Sequence, residues 1–442
     1  MSSADCFLGI DLGTSSVRCT AVNLDNEPIA VSKVDLPLPE NPESGHYQQD
    51  PEIWWNATLN CLNQLADEIQ LSQVKAISVD GTSSTVLLTD SRNKPISPAL
   101  MYNDSRSGEL LGIVENVIPE DHLTRSATSS LMKSLWLLKN FYSDDAKISH
   151  QADWVLAMLT GRNNISDENN CLKLGFDSVQ QKWPDWMQKL PFSLLKLPEV
   201  HRASDFAGNI SPDVGTVTGL HSETGVFFGT TDSTASTLAT GVDREGQAVT
   251  TLGSTMVMKT ITRAPVNNFE YGLYSHRLPD NLWLSGGASN AGGNVLLKYF
   301  SIEALEHLSQ QINPDKPTGL QYYPLPAPGE RFPINDPKLV PRMEPRPASD
   351  SVFLSAIFEG LAGIEKLAYE KIAELGGTLP REIITSGGKA ATNKTFTAIR
   401  QSILKIPVKT ARYTEASYVA ALLEKHGWEK LQKKSQMKMT GG

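Results

Sequence analysis

Three times along the chain an apolar run breaks at a glycine edged with hydroxyls and then resumes. The stretches are "LGIDLGTSSVRCTAV" (8–22), "VKAISVDGTSSTVLLTD" (74–90) and "QAVTTLGSTMVMKT" (247–260). Each reads as strand, tight turn, strand. Residues 6–34 thus predict two strands joined at Gly13. The 74–95 stretch repeats the plan, with Gly81-Thr82-Ser83 at the turn and "TVLLT" as its second strand. Two such units in the first half and one early in the second predict two related α/β halves. The boundary is expected between Thr231 and Gly246, after the strand "VFFGTTDS", which divides the chain into 1–239 and 240–442.

Helical periods fall between these strands. Residues 51–69 place Ile53, Trp54, Ala57, Leu62, Leu65 and Ile69 near a 3.6-residue repeat. Residues 351–375 do so more strongly, with Leu354, Ile357, Phe358, Leu361, Ile364, Ala368 and Ile372 on one stripe and Gly376-Gly377 as the stop. Ten prolines between Pro314 and Pro347 predict an ordered irregular loop there. Alternating strands and helices of this kind make an α/β fold with helices packed on sheets.

Composition narrows the function classes. A 442-residue chain with 40% hydrophobic and 20% charged residues is long enough for two to three domains and a large core. A net charge of −9 excludes a general binder of nucleic acid or of anionic membranes. The basic stretch "EKLQKKSQMKM" reads as a solvated helix end or a frayed tail. Cys6, Cys19, Cys61 and Cys171 lack CxxC spacing, which predicts reduced thiols with neither a disulfide framework nor a zinc site. The opening "MSSADCFLG" shows no secretory signal, and no run approaches 18 apolar residues, so no membrane span is expected.

The familiar chemical signatures are missing. There is no GxGxxG, HExxH, GxSxG or GxxxxGK[ST]; "SGGKAAT" (386–392) approaches the last but has Ile383 at the first glycine position and Ala390 after the lysine. What remains is a set of glycine-and-hydroxyl turns with two well-placed acids. Glycine turns expose successive N–H groups to phosphate oxygens. An acid beside such a turn can hold Mg²⁺, directly or through water. Asp11–Ser15 has this composition, though a plain hairpin turn would share it. Asp232, at the end of an apolar strand in "GVFFGTTDSTASTLATG", is either a helix cap or a general base that takes the proton of an attacking hydroxyl. "WLSGGASNAGGNVLLKYF" (283–300), with Ser289 or Asn290 as a cap, and "IITSGGKAATNKTFTAIRQ" (383–401) are two further glycine-rich strand-to-helix links. Four such loops after apolar strands point to phosphate or nucleotide binding.

In these residues the chain resembles the FGGY carbohydrate kinases, whose fold is grouped with actin, hexokinase and the Hsp70 ATPase domain. The likeness is carried, in order, by "GIDLGTSS", "ISVDGTSSTVLLTD", "MYNDSR", "FFGTTDSTASTLATG", "TTLGST", "GGASNAGG", "PAPGERFP", "FEGLAG", "TSGGKAATNKTF" and "TEASYVAAL". The "DGTSS" turn is similar to that of the D-ribulose/xylulose kinase-like branch of cyanobacteria and plant plastids. The resemblance implies two α/β domains of ribonuclease-H-like fold flanking a deep cleft. The sugar-binding domain is 1–239, with a C-terminal helix at about 413–434 packing back on it, and the ATP-binding domain is 240–442.

The resemblance also implies roles. Asp232 is the catalytic base, and Asp11 orients Mg²⁺, through water. Gly13, Thr14 and Ser15 line the γ-phosphate, and Gly253, Ser254 and Thr255 form a second phosphate loop. Gly292 and Gly293 approach the nucleotide, while Gly387, Gly388, Asn393 and Phe396 form the adenosine pocket. Ser83 contacts the sugar, with Asp80, Asn103 and Asp104 as further candidates beside Asp11 and Asp232. The implied activity is ATP-dependent phosphorylation of a terminal hydroxyl of a ketopentose, D-ribulose first and D-xylulose second. The partners are the sugar, ATP and Mg²⁺, in a cytoplasmic or plastid-stromal monomer or homodimer. A non-catalytic sugar- or nucleotide-binding relative is the alternative from another class. Three positions depart from the family pattern, all expected on the adenosine side: Lys389 for a third glycine, Phe396 for a tryptophan and Val419 for a glycine.

Overall fold

The computed structural model describes residues 5–440 apart from positions 42, 192, 194 and 195, and side chains as far as 433. The first four residues and the basic side chains beyond 433 therefore lie outside the described residues. No helix among those described is long and apolar enough to cross a membrane. The chain forms two compact units, one from residues up to Ser236 together with those from Glu415 onward, the other from Thr237 to Thr414.

In the first unit the central strand Cys6–Leu12 is apolar on both faces and almost wholly buried. It belongs to a six-stranded sheet ordered Phe206–Asn209, Gly225–Thr231, Val74–Gly81, Cys6–Leu12, Ser16–Val22, Pro28–Asp35. The neighbour Ser16–Val22 is antiparallel, whereas Val74–Gly81 is parallel, as is Gly225–Thr231 beyond it. One face carries Cys6, Leu8, Ile10 and Leu12, packed with Trp54 and Leu62 of the helix Glu52–Leu65 and Trp154 of the helix Gln151–Thr160. The alternate residues Phe7 and Gly9 face the other way. There the helix Ala416–Thr440 crosses so closely that a Cβ at Gly9 would overlap the Ser417 carbonyl and the Ala421 N–H. Ser78 donates to the Ala420 carbonyl, and the Thr20 and Ser417 hydroxyls bond at 2.7 Å.

Two sequence expectations are corrected here. Residues 6–34 hold three strands, not two. Asn23 accepts from the N–H groups of Asp25 and Glu27, and Asn26 takes a positive φ, so the chain turns between Val22 and Pro28. The 74–95 stretch is not a hairpin. Thr82 is tied to Gln151 by its N–H and its hydroxyl, Ser84 adopts φ 68°, and Val86–Thr89 leaves for a separate four-stranded sheet beside Lys147–His150.

The second unit repeats the wiring. Its central strand Gln247–Leu252 is antiparallel to Met256–Thr262, which pairs in turn with Trp283–Ser289, and that strand with Tyr274–Arg277. On the other side it is parallel to Glu382–Gly387, and that strand to Val408–Thr410. The helix Asp350–Glu374 starts at a Ser349 cap, buries the whole predicted stripe and ends before Gly376, at φ 103°. The proline-rich segment 314–347 contains no helix. The fold is a two-domain mixed α/β architecture.

Candidate active site

Three parallel strands of the first sheet lie side by side and bring an acid to the same end. Asp11 sits in register with Asp80, and Asp232 follows directly on Thr231 as the first residue of the short helix Asp232–Leu238. Carboxyl ends of parallel strands are where α/β sheets bind ligands. Asp80 is fully buried; one oxygen accepts the Thr230 N–H at 2.7 Å and the other has no partner. Gly229 makes this possible, since a Cβ there would stand 2.6 Å from the Asp80 oxygen. Burial pushes the Asp80 carboxyl well above the usual carboxylate range, and the charges of Asp11, Asp167 and Asp232 add to this. Asp11 is raised to about 7, mainly by burial and then by Asp232, against the pull of Arg18. Arg18 is itself engaged with Glu415. The buried Oδ1 of Asp11 has no hydrogen-bond partner. Asp232 accepts the Ser233 N–H at 2.6 Å.

Among the described residues no group of three or more His, Cys, Asp or Glu side chains is disposed to ligate a metal ion directly. The unpartnered, buried Asp11 oxygen nonetheless fits a cation or its bound water. Beside it Gly13 closes the turn by donating to the Ser16 carbonyl, and Thr14 and Ser15 are partly or fully exposed.

The other sugar-contact candidates fare differently. Ser83 is half-buried within the Thr82–Thr85 turn. Asn103 has a buried Oδ1 without a partner. Asp104 is fully buried and committed elsewhere: it accepts from Tyr47 N–H and from Arg106 Nε, with a charge contact of 2.9 Å to Arg106. Sequence reasoning missed other buried polar groups with atoms left unpartnered, among them Ser84, His150 and Gln151. They sit in ordinary-looking strand ends and helix starts, and only their burial marks them.

In the second unit the glycine turns converge. Gly253, Ser254, Gly293, Gly388 and Asn393 line one cavity of about 610 Å³, walled by apolar Leu296, Ile302, Leu305 and Phe358. Gly293 N–H donates to the Gly253 carbonyl and Gly388 N–H to the Leu252 carbonyl. Gly292 and Gly387 admit no side chain: a Cβ would lie 2.6 Å from the Thr255 carbonyl carbon in one case, and would overlap the Leu252 carbonyl in the other. Thr255 thus backs the turn. Neither Ser289 nor Asn290 caps the following helix, Gly293–Tyr299, whose N-cap is Gly292. Both are held instead by Glu330 of "PAPGERFP", which accepts the Ser289 hydroxyl at 2.6 Å and the Asn290 N–H at 2.7 Å.

Of the expected adenosine pocket, Asn393 lines the cavity and Phe396 lies behind it. Asn393 accepts the Phe396 N–H, capping the helix Lys394–Leu404, and donates to Ser309. Phe396 is buried and stacks on Phe358 at 4.6 Å, so Phe358 presents the ring to the cavity. Lys389 lines the mouth, 3.6 Å from Glu306. Val419 is not on this side at all: it is buried in the helix that closes the first unit.

Comparison with known proteins gives the family and the fold. Residues 6–239 match the model of the FGGY family of carbohydrate kinases, N-terminal domain, and residues 248–423 match its C-terminal domain. Xylulose kinase of Escherichia coli (strain K12) is 26% identical over 352 residues, covering 75% of this chain and 71% of that protein. Xylulose kinase of Bacillus subtilis (strain 168) is 24% identical over 430 residues, or 91% and 84% of the two chains. Among solved structures, xylulose kinase from Rhodospirillum rubrum superposes with a TM-score of 0.84 at 21% identity, covering 96% of this chain and 90% of that one.

Proposed function

The chain belongs to the FGGY family of carbohydrate kinases, phosphotransferases that act on sugars; from that premise we propose that it transfers the γ-phosphoryl group of ATP to a terminal hydroxyl of a ketopentose. The observation that carries the reading is the acid row of the first sheet, Asp11, Asp80 and Asp232, at the end of three parallel strands. In this reading the first unit binds the sugar and the second binds ATP.

Asp232 is the general base. It accepts the proton of the sugar hydroxyl as the oxygen attacks phosphorus, a role worth about 10²–10⁴ in rate. Asp11, with its buried unpartnered oxygen, orients Mg²⁺ through water. When bound, the cation neutralises phosphate charge and stabilises the charge that develops in transfer. Thr14 and Ser15 present N–H and hydroxyl donors for the phosphoryl group, on the turn that Gly13 closes. Gly253, Ser254 and Thr255 serve the remaining phosphates, with Gly292 and Gly293 allowing close backbone approach. The apolar wall around Phe358 takes the adenine ring, with Gly388 at its edge and Gly387 packed on Leu252 beside it. Asn393 borders that wall and Phe396 supports it from behind.

D-ribulose is the sugar suggested by the "DGTSS" turn. D-xylulose is an equal candidate, because both curated relatives cited above are xylulose kinases. The test is ADP release over a panel of ketoses, polyols and aldoses, on the wild type and on Asp232→Ala. Turnover with a ketopentose that disappears in Asp232→Ala is expected. Sugar-dependent turnover that survives the substitution removes Asp232 from the mechanism, and sugar binding by calorimetry without turnover makes the protein a binding relative.

A further inference from the structure

Two cations rank among the largest wholly buried side chains, Arg400 and Lys133. Arg400 gives two of its N–H groups to Glu365. Lys133 has no such counter-ion: its ammonium donates to the Met101 carbonyl at 2.8 Å, and among the described residues no carboxylate stands within ion-pair distance. Burial pushes the Lys133 amine well below the usual lysine range, and Asp104, whose charge opposes this, is already occupied by Arg106 and by the Tyr47 N–H. Removing a charge from water without a counter-ion is costly, so such a group is kept for a reason.

The reason lies in what Lys133 holds. Met101 opens the turn Tyr102–Asn103–Asp104, and that turn is pinned on all sides. Met101 N–H donates to the Tyr47 carbonyl, Tyr47 N–H returns to Asp104, Arg106 grips Asp104 and Gln48, and Ser105 N–H donates to the Gly45 carbonyl. In the middle of this fixed turn sits Asn103, its amide oxygen buried and without a donor. A buried acceptor left unpaired is rare enough to need an explanation. Lys133 also lies on the helix Ser130–Asn140 between Ser130 and Ser134, whose hydroxyls are likewise buried and unpartnered.

We propose that Lys133 is a positioning residue for the sugar: it clamps the Met101 carbonyl so that the Asn103 amide oxygen is held ready to accept a hydrogen bond from a substrate hydroxyl. This rests on the reading of the first unit as the sugar-binding one. Asn103 touches the substrate and Lys133 acts through it. The Met101 carbonyl already accepts the Asp104 N–H at 3.0 Å, and Lys133 adds a second donor, so the carbonyl that closes the turn is held from both sides.

Steady-state ADP release by the full chain, with D-ribulose and with D-xylulose, tests this on the wild type, Lys133→Met, Asn103→Ala and the double variant, together with melting temperatures. Each single variant is expected to raise the sugar KM about tenfold, the equivalent of one lost hydrogen bond, while the ATP KM stays within about twofold. The double variant is expected to be no worse than the single ones, since both remove the same contact. A Lys133→Met protein that melts lower but keeps its sugar KM makes the lysine a structural residue only and overturns the proposal. If Lys133→Met does not fold, Asn103→Ala decides: an unmoved sugar KM there overturns it equally. A wild type that turns over a ketopentose, with KM unmoved in the variants, sinks this proposal alone. A wild type that neither turns over nor binds either sugar by calorimetry sinks the sugar-site reading, and this proposal with it.

Discussion

The two sheets are wired alike, yet the residues just before their glycine turns differ in kind. In the first, Asp11 lies in register with Asp80. In the second, the equivalent positions are Thr251 and Ser386, again in register, their hydroxyls 2.9 Å apart. One sheet end gathers carboxyl groups that burial and mutual repulsion hold above their usual range, and the other presents neutral hydroxyls between glycine turns. The second unit keeps its buried charges one layer back, where Glu365 joins Arg400, Thr250 and Tyr369. An acidic end can take a proton and hold a cation but repels a free phosphate. A neutral end of glycine turns and hydroxyls sets no like charge against phosphate oxygens. One backbone plan thus serves two tasks through the side chains at two positions.

The contrast can be broken at several points. The largest effect is expected from Asp232→Asn, which should lower kcat about a thousandfold while calorimetry still registers sugar binding. Next, Arg400→Met leaves Glu365 charged and buried, and should cost ~3–5 kcal/mol of stability in a denaturant titration. Thr251→Asp gives the second turn the charge of the first. It should raise the ATP KM about tenfold or more and leave the sugar KM unmoved. A smaller effect appears in the pH dependence of stability. The Asp11 carboxyl is raised to about 7, so the folded chain keeps a proton that the unfolded chain releases near pH 4. Its contribution therefore weakens the fold as pH rises from roughly 4 to about 7, and Asp11→Asn should flatten that part of an unfolding curve measured against pH. The smallest change is expected from Lys389→Gly. Its ion pair with Glu306 is exposed on both sides, so the ATP KM should shift by less than about threefold.

Much of this was legible in the sequence because glycine turns and apolar strands are local signals. Gly13, Gly253 and Gly387 turn where expected, and the helix 350–374 buries the stripe that its period predicted. Pairing was less visible. Nothing local says that Val86–Thr89 deserts the strand before it, because the anchor is Gln151, far along the chain. The Asn23–Glu27 turn was readable, as its Asn and Asp residues announce it, but the apolar residues on either side blend into one run. Glu330 and Lys133 could not be found without the fold. Glu330 lies in a motif whose likeness says nothing of its bonds, Lys133 is one charge in a largely apolar helix, and each takes its meaning from partners dozens of residues away.

The helix laid across Gly9 carries a consequence for how the protein is made. Strand Cys6–Leu12, which carries Asp11, leaves the ribosome early, but Ser417, Ala420 and Ala421 of the helix that covers its second face follow about four hundred residues later. At ~5–20 residues per second that is a wait of roughly 20–80 s. Throughout it Phe7 and Gly9 have nothing to pack against, and the whole second unit is synthesised in the meantime. The acid row is thus complete once Asp232 is made, well before its sheet is sealed. A nascent chain stalled before residue 416 holds all three acids on a half-covered sheet, where chaperones would find exposed apolar surface.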